Sequence, residues 1–173
     1  LRSATRVSFD RLDSDGCMST NDQVTLMASG ASGVEPELAE FTARLTELCR
    51  DLAIQLQKDA EGASHNIHIT VTGAASEDDA VDVARTVSRS NLFKAAIFGN
   101  DPNWGRVAMA IGKCSQYSDI DQQRVVIRFG AQEVYPQRVD EAGLTQLSAY
   151  MQGTDVLIHV SLATGTHSAT VWG

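Results

Sequence analysis

The chain has 173 residues, 43% hydrophobic and 21% charged, with a formal net charge of −8. That length buries one sizeable core, and the acidic balance, with no basic cluster, excludes a nucleic-acid backbone as partner and fits a site for a small molecule carrying an amine. No apolar run approaches bilayer-spanning length, so no membrane partner is expected, and three widely spaced cysteines (Cys17, Cys49, Cys114) argue against a disulfide framework and for a reducing, cytoplasmic compartment.

Residues 1–9 read as the end of an element that begins outside this sequence, with Val7, Phe9 and Leu12 continuing as a strand. Residues 13–16 (DSDG) are turn chemistry. Ser19, Thr20, Asn21 and Asp22 supply N-caps for a helix through Val24, Leu26 and Met27. Pro36 opens the longest helix, in which Leu38, Phe41, Leu45, Leu48, Leu52 and Leu56 recur every three or four residues as one apolar stripe. That helix is expected to lie across a sheet, with Cys49 packed beside the stripe.

Residues 59–64 break the helix, and residues 65–72 alternate as a half-buried strand with Ile67, Ile69 and Val71 inward. Ser76, followed by Asp79 three residues on, caps a helix to about Ser88 that turns Ala80, Val83, Ala84 and Val87 inward. The apolar run 92–98 has the length of a buried strand. Residues 99–103 turn, and residues 104–112 form a buried helix with Asp101 as N-cap and Pro102 in the first helical position. Such a helix start attracts negative charge; it serves equally as a plain strand-to-helix connection. Residues 115–123 read as a loop, 124–129 and 132–135 as strands joined by a turn at 130–131, and 140–152 as a helix with Leu144, Leu147 and Met151 inward. Residues 155–162 and 167–172 read as a hairpin around 163–166, and the far end, like the start, reads as incomplete. Interspersed helices and hairpins predict a single α+β domain over residues 1–173, a layered sandwich of sheet and helices.

Candidate chemistry is sparse. No serine sits in a G-x-S-x-G elbow, no cysteine has a cationic neighbour in sequence, no segment matches a phosphate-binding loop, and no Cys or His pair has metal-ligand spacing. His65 and His68 fall on opposite faces of their strand and read as strand-end or surface histidines. Asp59 and Glu61 stand together at a helix C-terminus, where carboxylates are mildly unfavourable; they await a substrate ammonium or form a solvated acidic turn. The Ser, Thr, Asn and Asp residues of 13–22 make a small-molecule site or simply caps and turns. Lys94, amid Leu92, Phe93, Ala95 and Ile97, sits at a sheet edge or in a half-buried ion pair.

Three segments together are more specific. GNDPNWGR after SNLFKAAIF, DAEGAS after a long amphipathic helix, and DGCMSTND near the start resemble the glutamate N-acetyltransferase (ornithine acetyltransferase) family in order and separation. The resemblance implies an enzyme of arginine biosynthesis of the self-cleaving N-terminal-threonine type, made as one precursor. The new terminal threonine of the downstream (β) chain takes an acetyl group from N-acetylornithine and passes it to glutamate, its own α-amine serving as base. This sequence would be an internal part of that β chain. The nucleophile would lie upstream of Leu1, so no catalytic residue falls in this chain, and no cofactor is implied.

Glu61 matches the family's substrate-contacting glutamate, there to pair with the α-ammonium that ornithine and glutamate share; the family's C-terminal Asn and Thr contacts would lie beyond Gly173. The implied partners are the α chain of the same precursor, which carries the oxyanion site, further α and β copies in a heterotetramer, and small amino-acid substrates. Ala60, His65, Cys17, Met18, Asn91 and Phe93 depart from the family's usual residues and suggest a member with a shifted acyl acceptor. A self-cleaving aminopeptidase or amidase of similar architecture is the competing enzyme reading, and a binding module the competing non-enzymatic one. Asn103 and Arg106 either support the site or only fix their turn.

Overall fold

The computed structural model describes every residue except Tyr117, which falls within the predicted loop 115–123 and lies outside the described residues. Its elements in chain order are α1 (Arg2–Arg6), a 3-10 turn (Phe9–Arg11), α2 (Leu38–Lys58), β1 (Asn66–Ala74), α3 (Glu77–Ser88), α4 (Asn91–Phe98), α5 (Trp104–Lys113), a second 3-10 turn (Cys114–Gln116), β2 (Val126–Phe129), β3 (Gln132–Tyr135), α6 (Glu141–Tyr150), β4 (Asp155–Ser161) and β5 (His167–Trp172). The layered α+β expectation holds. The five strands form one mixed sheet in the order β3-β2-β4-β1-β5.

Strand β1 organises the sheet. It pairs parallel with β4, Ile69 opposite Ile158, and antiparallel with β5, Ile69 opposite Val171. Its alternation sends Ile67, Ile69 and Val71 into the core with Val156, Ile158, Val160, Ala169 and Val171 of its neighbours. Helices α3, α4 and α5 cover that face with Val83, Val87, Phe93, Ile97, Val107 and Ile111 and bury enough apolar area to supply the main driving force of the fold. Ser76 caps α3 as expected, its Oγ accepting from the Asp79 N–H at 3.0 Å. The opposite face of the sheet is polar and half-buried. There Thr70 meets Thr170 at 2.9 Å, and the Thr72 hydroxyl meets His159 Nε2 at 3.3 Å.

Several expectations are overturned. The run 92–98 is helix α4: Ser90 Oγ accepts from the Phe93 N–H at 3.3 Å, and burial falls on Phe93 and Ile97, four apart, while Leu92 and Phe98 stay exposed. An eight-residue apolar run satisfies either a strand or two helical turns, and the cap decides. Strands β4 and β5 are not a hairpin, because β1 lies between them. The connecting loop passes over the end of β1, where the Thr164 and Gly165 N–H groups donate to the Gly73 carbonyl at 2.7 and 2.8 Å. Residues 1–12 form α1 and a 3-10 turn, with only Leu12 bridging to Trp172. No helix forms around Val24, Leu26 and Met27, which are exposed. Ser19 Oγ accepts from the Asn21 and Asp22 N–H groups instead, a local turn that competes with helix initiation. In α6, Leu147 and Met151 are buried but Leu144 is 50% exposed.

The N-cap of α5 is Asn103. Asp101 accepts from Asn103 Nδ2 at 3.0 Å rather than from the helix, and Pro102 falls before the cap.

Helix α2 differs most. Its buried residues are Leu45, Cys49, Ala53 and Gln57; the helix packs mainly on α1 and the Phe9–Arg11 turn rather than across the sheet, and only its end, through Gln57, reaches the Ile67 carbonyl of β1. The rest of the predicted stripe is uncovered, Leu38 being 75%, Leu48 54% and Leu56 58% exposed. Periodicity identifies an apolar face without saying what covers it, and small residues on the adjoining face let α1 approach closely.

The N-terminal segment is held to α3 by charge. Asp13, 5% exposed, accepts from Arg89 Nε at 2.8 Å, with Arg85 Nε at 3.9 Å. Its N–H donates to the Trp172 carbonyl at 2.7 Å and its carbonyl accepts from Ser88 Oγ at 2.9 Å. Arg11 pairs with Glu77 alongside. Asp13→Ala is expected to cost about 1–3 kcal/mol by urea unfolding, because the carboxylate lies inside while its arginines reach water. Asp78→Ala, at the exposed Arg6–Asp78 pair, is expected to leave stability unchanged.

On the polar face, burial lowers the pKa of His68 from its ordinary 6.5, Asp155 opposing and Lys58 adding to the shift. Burial also lowers His159, helped by Arg128. Both imidazoles bind protons less readily folded than unfolded. Their contribution to stability is therefore whole above pH 6.5 and is lost as pH falls below it toward the depressed folded values. Urea midpoints should drop between pH 7 and pH 5, and His159→Gln should flatten that drop.

Candidate functional site

The Asp13 anchor also fixes its neighbour. Ser14, next along the chain, presents its carbonyl to Lys94 Nζ, which donates to it. Lys94 sits on α4, and Ile97 and Phe98, three and four residues on, share its side of the helix. Facing them is the end of α2. Asp59 caps that helix, the Ala60 N–H donates back to the Gln57 carbonyl at 3.2 Å, and Gly62 takes φ +71°, a left-handed backbone that glycine adopts without strain. The reversal carries Glu61 outward. These pieces enclose a cavity of about 240 Å³, lined by Ser14, Gln57, Ala60, Glu61, His65, Lys94 and neighbours.

Glu61 therefore borders a cavity from an exposed turn, and the structure brings it together with Ser14 and Lys94. Ser14, which immediately precedes the DGCMSTND segment, the DAEGAS turn and the lysine ahead of GNDPNWGR line one cavity. The last of these motifs divides. Trp104 stacks on Tyr135, ring centroids 5.1 Å apart, and ties α5 to β3 away from the cavity. Asn103 bonds Asp101, and the Arg106 N–H donates to the Asn103 carbonyl, so both serve the turn. A larger space of about 710 Å³ opens beside Trp104, Ile111, Ile120 and Tyr135, but it gathers none of the charged groups from the three motifs.

Lys94 is neither at a sheet edge nor in a direct ion pair; among the described residues no carboxylate pairs with it within 4.0 Å. Burial lowers its pKa from 10.5, opposed by the more distant charges of Asp13 and Asp15. His65, expected at a strand end, contacts Ser64 Oγ at 2.9 Å and the Met151 carbonyl at 3.2 Å and braces the cavity rim. His68 lies on the polar sheet face with Nε2 buried and unpartnered among the described residues.

Sequence reasoning missed Gln57. It is 3% exposed; its Nε2 donates to the carbonyls of Ile67 and Gly173 at 3.0 and 3.1 Å, and its buried Oε1 has no partner among the described residues. The available signal was its place in the series 45, 49, 53, 57, where a polar residue continues a buried face. Among the described residues no group of three His, Cys, Asp or Glu could hold a metal, and no helix is long and apolar enough to cross a membrane.

Comparison with known proteins shows the family. The arginine biosynthesis bifunctional protein ArgJ of Thermobifida fusca is 51% identical over 172 residues, 99% of this chain and 44% of that protein. The ArgJ of Streptomyces avermitilis is 49% identical over the same shares. The crystal structure of ArgJ from Bacillus halodurans superposes with a TM-score of 0.90 at 35% identity, covering 99% of this chain and 84% of that one. The chain thus spans about 44% of the length of the curated relatives it matches. The sequence matches the ArgJ family over residues 1–173, and the chain belongs to that family.

Proposed function

We propose that this chain is the internal part of the downstream chain of a self-cleaving acetyltransferase that moves an acetyl group from N-acetylornithine to glutamate. The attacking group is the hydroxyl of an N-terminal threonine outside the present sequence. It adds to the acetyl carbonyl, its proton passing by way of its own α-amine to the departing ornithine nitrogen, and an acetyl ester remains. Glutamate gives one ammonium proton to the free α-amine of the threonine and attacks that ester as a neutral amine; the departing threonine oxygen takes a proton by way of the same α-amine, and acetylglutamate leaves.

Glu61 is the chain's contribution to binding: a carboxylate at the mouth of a small cavity that holds the ammonium of ornithine as it leaves and of glutamate as it arrives. The observation that carries the reading is the convergence of Glu61, Ser14 and Lys94 on one cavity. It is joined by membership of a family whose relatives are named for arginine biosynthesis.

Two features support a partner chain. The exposed apolar stripe of α2 and the half-buried polar face of the sheet are surfaces of the kind that meet another polypeptide. The α chain of the same precursor, with further α and β copies in a heterotetramer, is the proposed occupant. Free Cys17, Cys49 and Cys114 suit a reducing cytoplasm.

The full-length precursor carrying these residues tests the reading. It is expected to cleave itself and to form acetylglutamate from acetylornithine and glutamate. Glu61→Gln should cut kcat/KM by about 10- to 100-fold, the loss of one charged hydrogen bond, with cleavage intact on a denaturing gel. Release of free acetate and ornithine alone would mark a hydrolase and overturn the transferase reading.

A further inference from the structure

One cation takes no part in the transfer steps proposed above. Lys94 is the only lysine or arginine lining the Glu61 cavity among the described residues. Its ammonium has three donors, and the Ser14 carbonyl takes one. The nearby carboxylates do not take the others. Asp13 is occupied by Arg89 and Arg85, and Asp15 accepts from the Cys17 N–H at 2.8 Å. The lysine stem runs beside Ile97 and Phe98, so the charge stands in a half-buried setting where an anion binds more strongly than in open water. Glu61 is the carboxylate on the same lining.

The substrates' chemistry fits this arrangement. Of the four species in the proposed transfer, only ornithine and glutamate carry a free α-ammonium, whereas all four carry an α-carboxylate. A site that holds every one of them needs a cation for that carboxylate.

We propose that Lys94 is a substrate-binding residue that pairs with the α-carboxylate of the amino-acid substrates, across the cavity from Glu61. The cavity then reads both charges of one zwitterion, Glu61 taking the ammonium and Lys94 on α4 the carboxylate. Binding makes no covalent change; the carboxylate fills ammonium donors that the fold leaves open. The inference rests on the transferase reading above.

The test uses the full-length, self-cleaved protein and compares N-acetylornithine with its α-carboxamide. Lys94→Gln is the main variant, because glutamine keeps a donor for the Ser14 carbonyl while removing the charge. For N-acetylornithine, KM is expected to rise about 10- to 100-fold with kcat little changed, as for a lost charged hydrogen bond. For the carboxamide, KM is expected to stay where it was, so the preference for the carboxylate collapses. Equal losses on both substrates, a loss in kcat alone, or a retained carboxylate preference would each overturn the proposal and leave Lys94 as a tether for Ser14. Should Lys94→Gln fail to fold or cleave, Lys94→Arg decides: a displaced cation should raise KM for the carboxylate substrate alone, and unchanged discrimination overturns the proposal. Wild-type protein is assayed first. If it forms no acetylglutamate, the transferase reading fails and this inference with it; if it does, the variants judge Lys94 alone.

Discussion

A buried carboxylate must keep its charge compensated or it will not stay buried. Asp13 meets that condition with two arginines of α3, and it uses its own peptide groups as well, one to the last strand and one to Ser88. The consequence reaches beyond stability. A segment with little regular structure is pinned to α3 and β5 through Asp13, and the next residue, Ser14, is thereby held against Lys94 on α4. The cavity's position depends on this anchor, because α4 and the end of α2 each contribute one wall and the anchored segment bridges them.

The sheet imposes the second constraint. With β1 between β4 and β5, the centre of the sheet joins strands far apart in sequence, and its order is not that of the chain. The helices between β1 and β2 all pack on one face, so the other carries threonine, histidine and arginine side chains; Thr70 meets Thr170 and Thr72 meets His159 across strands, while Arg128 pairs with Glu133. Such a face is too polar for a conventional core and too enclosed for free solvent. Imidazoles with depressed pKa values are the expected result.

Legibility in the sequence tracks the locality of the signal. Strand β1 was readable because alternation over eight residues has one explanation, and α3 because a serine cap, acidic first turn and helical spacing agree. The extent of α2 was readable and its buried face was not: leucines at heptad-like spacing outweigh an alanine and a cysteine in any reading by hydrophobicity, yet Cys49 packs with Ala4 of α1 and Ala53 is fully buried. The hairpin at 163–166 failed for a different reason. Two strands and a short loop carry no record of a third strand inserted from far earlier in the chain. At the candidate site, Glu61 is proposed through its motif, whereas the roles of Asp13 and Gln57 depend on contacts spanning 76 and 116 residues, which no local pattern contains.

The departures from the family's usual residues become informative once placed. Cys17 and Met18 sit on an exposed loop, Asn91 opens α4 at the surface, and Phe93 is buried in the core. Ala60 and His65 are different, because both line the cavity. A methyl group at residue 60 narrows the wall next to Glu61. An imidazole at residue 65, tied to Ser64 and to the Met151 carbonyl, stiffens the rim. Lys94 is the one lysine or arginine on that lining among the described residues, so a change of acceptor in this branch would act through the shape and charge of the cavity rather than through the fold.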